Sequence, residues 1–315
     1  MQTQPRITVA ICTYNRAEYL RDTLQGLSNQ SVEPQLFEIL VVNNNSTDHT
    51  EQVCKEFQKG KEKPTFKHVI EPEQGLSRAR NRAAKESRAP IVIFIDDDVY
   101  LPKEFIQEAL TYSQSYSTSF CAGGRIDVAF EGESRQPSWI PNELMPMFGL
   151  HNPFEEEREY TESNFPRGGN MVIHKSVFEK AGYFKTDLGR TGGQLLGGEE
   201  KDYFDTVRRK GIPLYYWPKL RLTHRIGRAR LEKEYIKNQS VGIGHSEWLR
   251  VRHNPADIVR KSAEEAVKFA GSLILFFWYG LSGRWRAAMF LIQFRIWVLV
   301  GFLGSKTGAQ RNGVE

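Results

Sequence analysis

The chain has 315 residues and a formal net charge of +5, with 40% hydrophobic and 26% charged residues. That balance excludes a disordered chain, a collagen-like repeat and a small disulfide scaffold, and the length suffices for one large core or two modest ones. Cys12, Cys54 and Cys121 are widely spaced with no C-x-x-C, which reads as free thiols of a reducing compartment, and the N-terminal MQTQPRITVAICTYNR lacks the apolar run of a secretory signal.

Strand and helix patterns alternate over the first hundred residues. ITVAIC (7–12) predicts a buried strand, and 17–30 spaces Tyr19, Leu20, Leu24 and Leu27 on one helical face. FEILVVNN (37–44) predicts a second strand. Ser46, Thr47 and Asp48 then offer capping oxygens to a helix that turns Val53, Cys54 and Phe57 inward. FKHVI (66–70) is a third strand, LSRARNRAAKES (76–87) a helix, and PIVIFI (90–95) the most apolar strand. Strands without polar alternation, separated by helices, imply an α/β chain with a mostly parallel central sheet covered on both faces. Such sheets bind ligands at the carboxyl ends of their strands. The polar motifs fall there: Thr13-Tyr14-Asn15, Asn43-Asn44-Asn45 and Asp96-Asp97-Asp98.

The middle of the chain is turn-rich. GEEKDYFDTVRRKG (198–211) predicts a helix with acids in its first turn, bases in its last and Gly211 as its stop. The charge then shifts, from −4 over residues 1–220 to +6 over 221–262 and +3 over 263–315. Two apolar runs follow, 269–281 and 287–304. They are studded with Trp278, Tyr279, Trp285 and Trp297 and edged or interrupted by Lys268, Arg284, Arg286 and Arg295. Interfacial aromatics and cations around apolar runs imply a membrane-associating helical hairpin rather than a nucleic-acid interface. The first run is short for a full span and Arg295 breaks the second, so a buried hairpin of a soluble domain is the competing expectation.

Three adjacent carboxylates at a strand end repel one another unless a divalent cation or strong donors offset the charge. One acid would suffice as a helix cap, and Pro102 sets the next helix several residues later, so a metal site is the stronger expectation. On a strand Asp96 and Asp98 point the same way and Asp97 the other. Hard oxygen ligands suit Mg²⁺ or Mn²⁺ acting on phosphates. No P-loop exists, and no glycine-rich dinucleotide turn follows the first strand; GIGHSE (242–247) is a fragment of that fingerprint in the wrong context.

In order, ITVAICTYNR, EILVVNNNSTD, GLSRARNRA, VIFIDDD and GGEEKDYF resemble a family 2 glycosyltransferase over about residues 6–225, and more narrowly the bacterial and cyanobacterial members that assemble polysaccharides. The resemblance implies a GT-A fold, a Rossmann-like sheet with helices on both faces, and inverting transfer from a UDP-, dTDP- or GDP-linked sugar to a glycan or lipid-linked acceptor. It implies Mn²⁺ or Mg²⁺ as cofactor and a place at the cytoplasmic face of the membrane. Thr13, Tyr14 and Asn15 would border base and ribose. Asn43 or Asn44 stands where the family usually has an acid, which leaves the base open. Arg80 falls near base or diphosphate, although a solvated helix face explains it equally. Asp96 falls near the ribose and Asp98 on the metal, with Asp97 as the alternative ligand and His224 as a late member of the metal shell. Glu200 takes the place of the family's general base. Glu199 and Asp202 share a helix face and compete for that role, and all three acids also suit a helix N-terminus. Gly169 and Asn170 would line the acceptor side. The expected organisation is a catalytic domain at 1–225 (a nucleotide-sugar half at 1–102 and an acceptor half at 103–225), a basic helical segment at 226–262, apolar helices at 263–304 and a flexible tail at 305–315. Two rivals remain at this point: a nucleotidyltransferase, which would release pyrophosphate, and a non-catalytic membrane scaffold that binds the donor without turnover.

Overall fold

The computed structural model describes residues 4–60, 64–116, 119–190 and 197–304; the expected tail at 305–315 lies outside them. The chain forms two compact units. One comprises Met1–Val128, Gly149–Asp187 and Glu199–Arg225, and the other Ala129–Phe148, Leu188–Gly198 and Ile226–Glu315.

The first unit is built on a mixed sheet. Its parallel part joins β1 (Ile7–Thr13), β2 (Phe37–Asn43), β3 (Thr65–Ile70) and β4 (Ile91–Ile95) in the order β3-β2-β1-β4. These are the four strands expected from the apolar runs. Beyond β4 the sheet continues through β8 (Asn170–His174), β6 (Cys121–Phe130), β9 (Leu214–Ile226) and β5 (Val99–Tyr100), with β7 (Arg158–Glu159) beside β9. The pairs β4–β8, β6–β8, β5–β9 and β7–β9 are antiparallel.

Both faces are covered at β1, β2 and β4, which explains their unbroken apolar runs, while the edge strand β3 is only partly buried. Ile7, Val9 and Ile11 pack on one face with Leu20, Leu24 and Leu27 of α1 (Ala17–Ser28), Val53 of α2 (Thr50–Gln58) and Phe105 of α4 (Phe105–Gln114). Ala10, Leu40 and Val42 pack on the other with Ala79 and Ala83 of α3 (Leu76–Glu86), Phe178 of α5 (Ser176–Ala181) and Phe204 and Val207 of α6 (Glu199–Arg209). Asp48 serves two helices. Its Oδ1 accepts from the Thr50 N–H of α2, as its capping chemistry suggested, while its Oδ2 accepts from the Ala17 N–H of α1. The loop after β2 is thereby tied to the loop after β1.

The second unit is helical: α7 (Lys233–Val251), α8 (Pro255–Leu281) and α9 (Trp285–Gly304). Asn254 caps α8 by accepting from the Ala256 N–H, with Pro255 at the first helical position. A Cβ at Gly244 of α7 would lie 2.0 Å from the Val298 carbonyl oxygen, and one at Gly301 of α9 would lie 2.0 Å from that of Val241. The two backbones touch where neither residue has a side chain. Polar links fix α8 to its neighbours: Lys261 Nζ lies 2.8 Å from Glu247 of α7, and Arg295 Nε of α9 donates to Ser272 Oγ at 3.0 Å. Arg295 thus finds a partner between helices inside the apolar run it interrupts.

Candidate active site

The strand ends gather the polar motifs. Asn15 has φ +54 and turns the chain sharply out of β1; its Oδ1 accepts from the Thr47 N–H at 2.7 Å. Asn43 Oδ1 accepts from the Ser46 N–H at 2.8 Å. Asn44 is committed on both ends of its amide, donating to the Glu71 and Glu73 carbonyls and accepting from the Gly75 N–H. The asparagines at the expected base-binding position therefore hold the loops at the strand ends together. Tyr14 is half-buried beside them.

After β4 the three aspartates lie outside strand geometry, between β4 and β5, so simple alternation of facing does not apply to them. Ligand atoms of Asp96, Asp98 and His224 lie within 4.8 Å of one another. His224 arrives because β5 pairs with β9 in the register Val99↔His224, which brings its Nε2 to 3.2 Å from Asp98 Oδ1. Gly149, at φ +102, backs the imidazole; a Cβ there would come within 2.6 Å of His224 Nδ1. Two carboxylates and an imidazole are a donor set that suits Mn²⁺ or Mg²⁺, so the residues fit such an ion.

Asp97 lies outside the set of three ligands but shares Arg16 with Asp98. Its Oδ2 accepts from Thr13 Oγ1 at 2.6 Å, and its Oδ1 lies 3.0 Å from Arg16 Nε. Burial pushes its carboxyl up to about 7, with Asp98 and Asp96 adding to the rise and Arg16 and Thr13 opposing it. Arg16 also reaches Asp98, with Nη2 2.5 Å from Oδ2. Burial works against the Arg16 charge, but the three aspartates more than offset it and raise its pKa.

Across a glycine pair from Asp96 stand the acids of α6. Arg80 is 3% exposed and bridges Glu199 Oε1 at 2.9 Å and Glu200 Oε1 at 3.0 Å. Burial opposes its charge, and Glu200 and then Glu199 raise its pKa above the usual value. A Cβ on Gly168 would fall 2.0 Å from Arg80 Nη2 and from Glu200 Oε1, and one on Gly169 would fall 2.8 Å from Asp96 Oδ2. The Gly168-Gly169 step thus lets the acid of α6 and the acid after β4 both approach one backbone segment closely. Asn170 is fully buried instead, donating to the Arg125 and Leu220 carbonyls, so it ties β8 into the sheet. Asp202 is set apart from the cluster and pairs with Lys185 Nζ at 2.9 Å. Glu199 is buried, whereas Glu200 keeps 21% side-chain exposure.

Two members of this site were not anticipated. Arg16 directly follows the Thr13-Tyr14-Asn15 motif. Cys12 sits beneath the acids, where burial first, and then Asp96 and Asp97, push its thiol up to about 12 against the pull of Arg80.

The model of glycosyl transferase family 2 matches residues 8–182, more than half of the chain. The chain belongs to glycosyl transferase family 2. It is similar to the putative glycosyltransferase EpsH of Bacillus subtilis (strain 168), at 25% identity over 58% of this chain and 60% of that protein. A validoxylamine A glucosyltransferase of Streptomyces hygroscopicus subsp. limoneus is 32% identical over 34% of this chain and 23% of that protein. The chain therefore spans less than two thirds of the length of these relatives. In fold it is similar to the mannosyltransferase PcManGT of Pyrobaculum calidifontis, solved in complex with GDP-Man and Mn²⁺, with TM-score 0.65 and 14% identity over 98% of this chain and 89% of that one. It also matches S. aureus TarS 1-349 in complex with UDP-GlcNAc, with TM-score 0.51 and 20% identity over 77% of this chain and 70% of that one. For this family-2 chain, these likenesses show the GT-A fold.

Proposed function

We propose that this chain is a metal-dependent, inverting glycosyltransferase that moves a sugar from a nucleoside diphosphate to a glycan or lipid-linked acceptor during polysaccharide assembly. The observation that carries the reading is the juxtaposition of Asp96, Asp98 and His224 with Glu200 across Gly168-Gly169. The donor's diphosphate would lie at Asp96, Asp98 and His224, with base and ribose toward Thr13, Tyr14 and the loop held by Asn15, Asn43 and Asn44. A divalent ion bound there supplies positive charge to the leaving diphosphate. Glu200 would accept the proton of the acceptor hydroxyl as that oxygen bonds to the anomeric carbon and the carbon–oxygen bond to phosphate breaks. Arg80 would hold Glu200 in place, and Glu199 in turn holds Arg80. The named complexes of related fold, one with GDP-Man and Mn²⁺ and one with UDP-GlcNAc, support a nucleotide-sugar donor without deciding the base.

We also propose that the helical unit rests on the cytoplasmic face of a membrane. Phe277, Trp278, Leu281, Trp285 and Met289 are exposed around the α8–α9 turn, next to Arg284 and Arg286. A cavity of about 450 Å³ beside them is lined by Trp139, Ile236, Trp285, Phe290 and Trp297, with Lys233 and Arg286 among its residues. Helix α9 is long and apolar enough to cross a membrane by length and composition. The polar ties of Lys261 and Arg295 within the unit favour a surface-lying hairpin over a span.

The test is a thermal-shift screen of UDP-, dTDP- and GDP-sugars with and without Mn²⁺, followed by product analysis with the stabilising donor. The expected result is nucleoside diphosphate release with inverted anomeric configuration, abolished by Asp98→Asn. Release of pyrophosphate, or full turnover by Asp98→Asn, would overturn the reading.

A further inference from the structure

The metal-dependent reading just given leaves the Arg16 contacts without a role. Asp97 and Asp98 are 6% and 1% exposed, and buried carboxylates need a countercharge. Arg16 supplies it, bridging Asp97 Oδ1 at 3.0 Å and Asp98 Oδ2 at 2.5 Å. Its guanidinium lies 4.5 Å from the centre of the Tyr19 ring, and Arg225, anchored to Asp22 at 2.5 Å, lies 4.9 Å from that same ring. Tyr19 thus offers a π-surface on which a guanidinium can rest. The Arg16 side chain keeps 26% exposure, so it has a way out of the cluster.

We propose that Arg16 is a built-in counter-ion that competes with the divalent metal for Asp98 and is released to the donor's diphosphate. Asp98 is the carboxylate common to both cations: Oδ2 meets Arg16, and the same side chain belongs to the Asp96–Asp98–His224 set. A guanidinium and a divalent ion on one carboxylate repel each other, so the metal alone binds against Arg16. A nucleoside diphosphate brings the negative charge that accepts the displaced guanidinium. Arg16 then couples the two binding events, and by linkage the coupling is the same in either order of addition. The coupling favours an enzyme that acquires its metal together with its donor.

The test measures Mn²⁺ affinity directly, from the free-Mn²⁺ electron paramagnetic resonance signal, with no turnover involved. Wild type, Arg16→Gln, Arg16→Lys and Asp98→Asn are titrated alone and with UDP or GDP, after melting curves establish that each is folded. Arg82→Gln, at a residue of α3 paired with Glu86 and not with the aspartates, controls for loss of one positive charge. Arg16→Gln is expected to tighten Mn²⁺ binding at least fivefold without nucleotide, and to shrink by a similar factor the extra tightening that nucleotide gives. Arg16→Lys, which keeps the charge but not the fork, is expected to remain near wild type. If wild type binds Mn²⁺ through Asp98 but Arg16→Gln matches it within twofold or binds more weakly, this inference falls and the metal-dependent reading stands. If neither protein binds Mn²⁺ with or without nucleotide, both fall.

Discussion

At the residue scale, Gly168 and Gly169 stand between Glu200 and Asp96, and the proposed mechanism assigns proton handling to one side and metal handling to the other. Gly169→Ala pushes a methyl toward Asp96 Oδ2, so it should weaken Mn²⁺ binding about tenfold, ~1.4 kcal/mol, in a calorimetric titration. Gly168→Ala pushes instead on Arg80 and Glu200, so kcat should fall about tenfold or more while Mn²⁺ affinity holds. Glu200→Gln should lower kcat on the order of a hundredfold with donor affinity little changed, since general-base loss costs roughly that much. His151 gives a pH signature. It is buried against Tyr160, its Nε2 2.7 Å from the phenol oxygen, and burial first, then Arg167, lowers its pKa to about 3. It is neutral when folded and takes a proton when unfolded, so its share of stability is whole above about pH 6.5 and is lost as pH falls toward 3. Between pH 6.5 and 5 that share is up to ~2 kcal/mol, and His151→Gln should flatten the denaturant midpoint over the same range. The three aspartates stood out because adjacent carboxylates at a strand end need an offsetting charge or donors, whereas the α6 acids equally suit a helix N-terminus and were singled out only through the family resemblance. Arg16 was not, because a basic residue after a strand is ordinary, and its two partners lie more than eighty residues away.

At the element scale, β1, β2 and β4 were readable because burial on both faces leaves an unbroken apolar run, while β3, at the sheet edge and only partly buried, falls at the short FKHVI segment. The antiparallel half was not readable. Its strands are set by pairing with distant partners, as β9 is by the Val99↔His224 register, and local pattern carries no such information. The glycines at 242–247 show how one motif admits two physical causes. A G-x-G fragment suggests a phosphate turn, but here Gly244 lies inside α7 and lets its backbone meet that of α9. Gly244→Val should therefore separate α7 from α9 and lower the melting temperature, with a loss of about 1–3 kcal/mol as for other overpacked contacts. An unchanged melting curve would show that the close approach carries no stability.

At the scale of the whole molecule, the basic excess after residue 220 and the aromatic apolar runs predicted a helical hairpin, and α8 and α9 form one. Sequence pattern placed Arg295 as a break in the apolar run, whereas the Ser272 contact gives it a role between helices. The proposed membrane contact is testable at the α8–α9 turn. Replacing Trp278, Leu281 and Trp285 by serine should reduce co-sedimentation with anionic vesicles at least tenfold, because each buried apolar side chain contributes about 1.5–3 kcal/mol. These side chains are 58–88% exposed, so the melting temperature should barely move. Equal sedimentation of the triple variant would remove the hairpin turn as the membrane contact.

The account turns on where a divalent ion and a diphosphate meet this sheet. The most direct measurement is an anomalous difference map from crystals of the full chain grown with Mn²⁺ and UDP or GDP. The expected map has a manganese peak within bonding distance of Asp98 and His224, with the diphosphate beside it and Glu200 against Gly168. Ordered nucleotide with manganese bound elsewhere, or with none at the three residues, would contradict it.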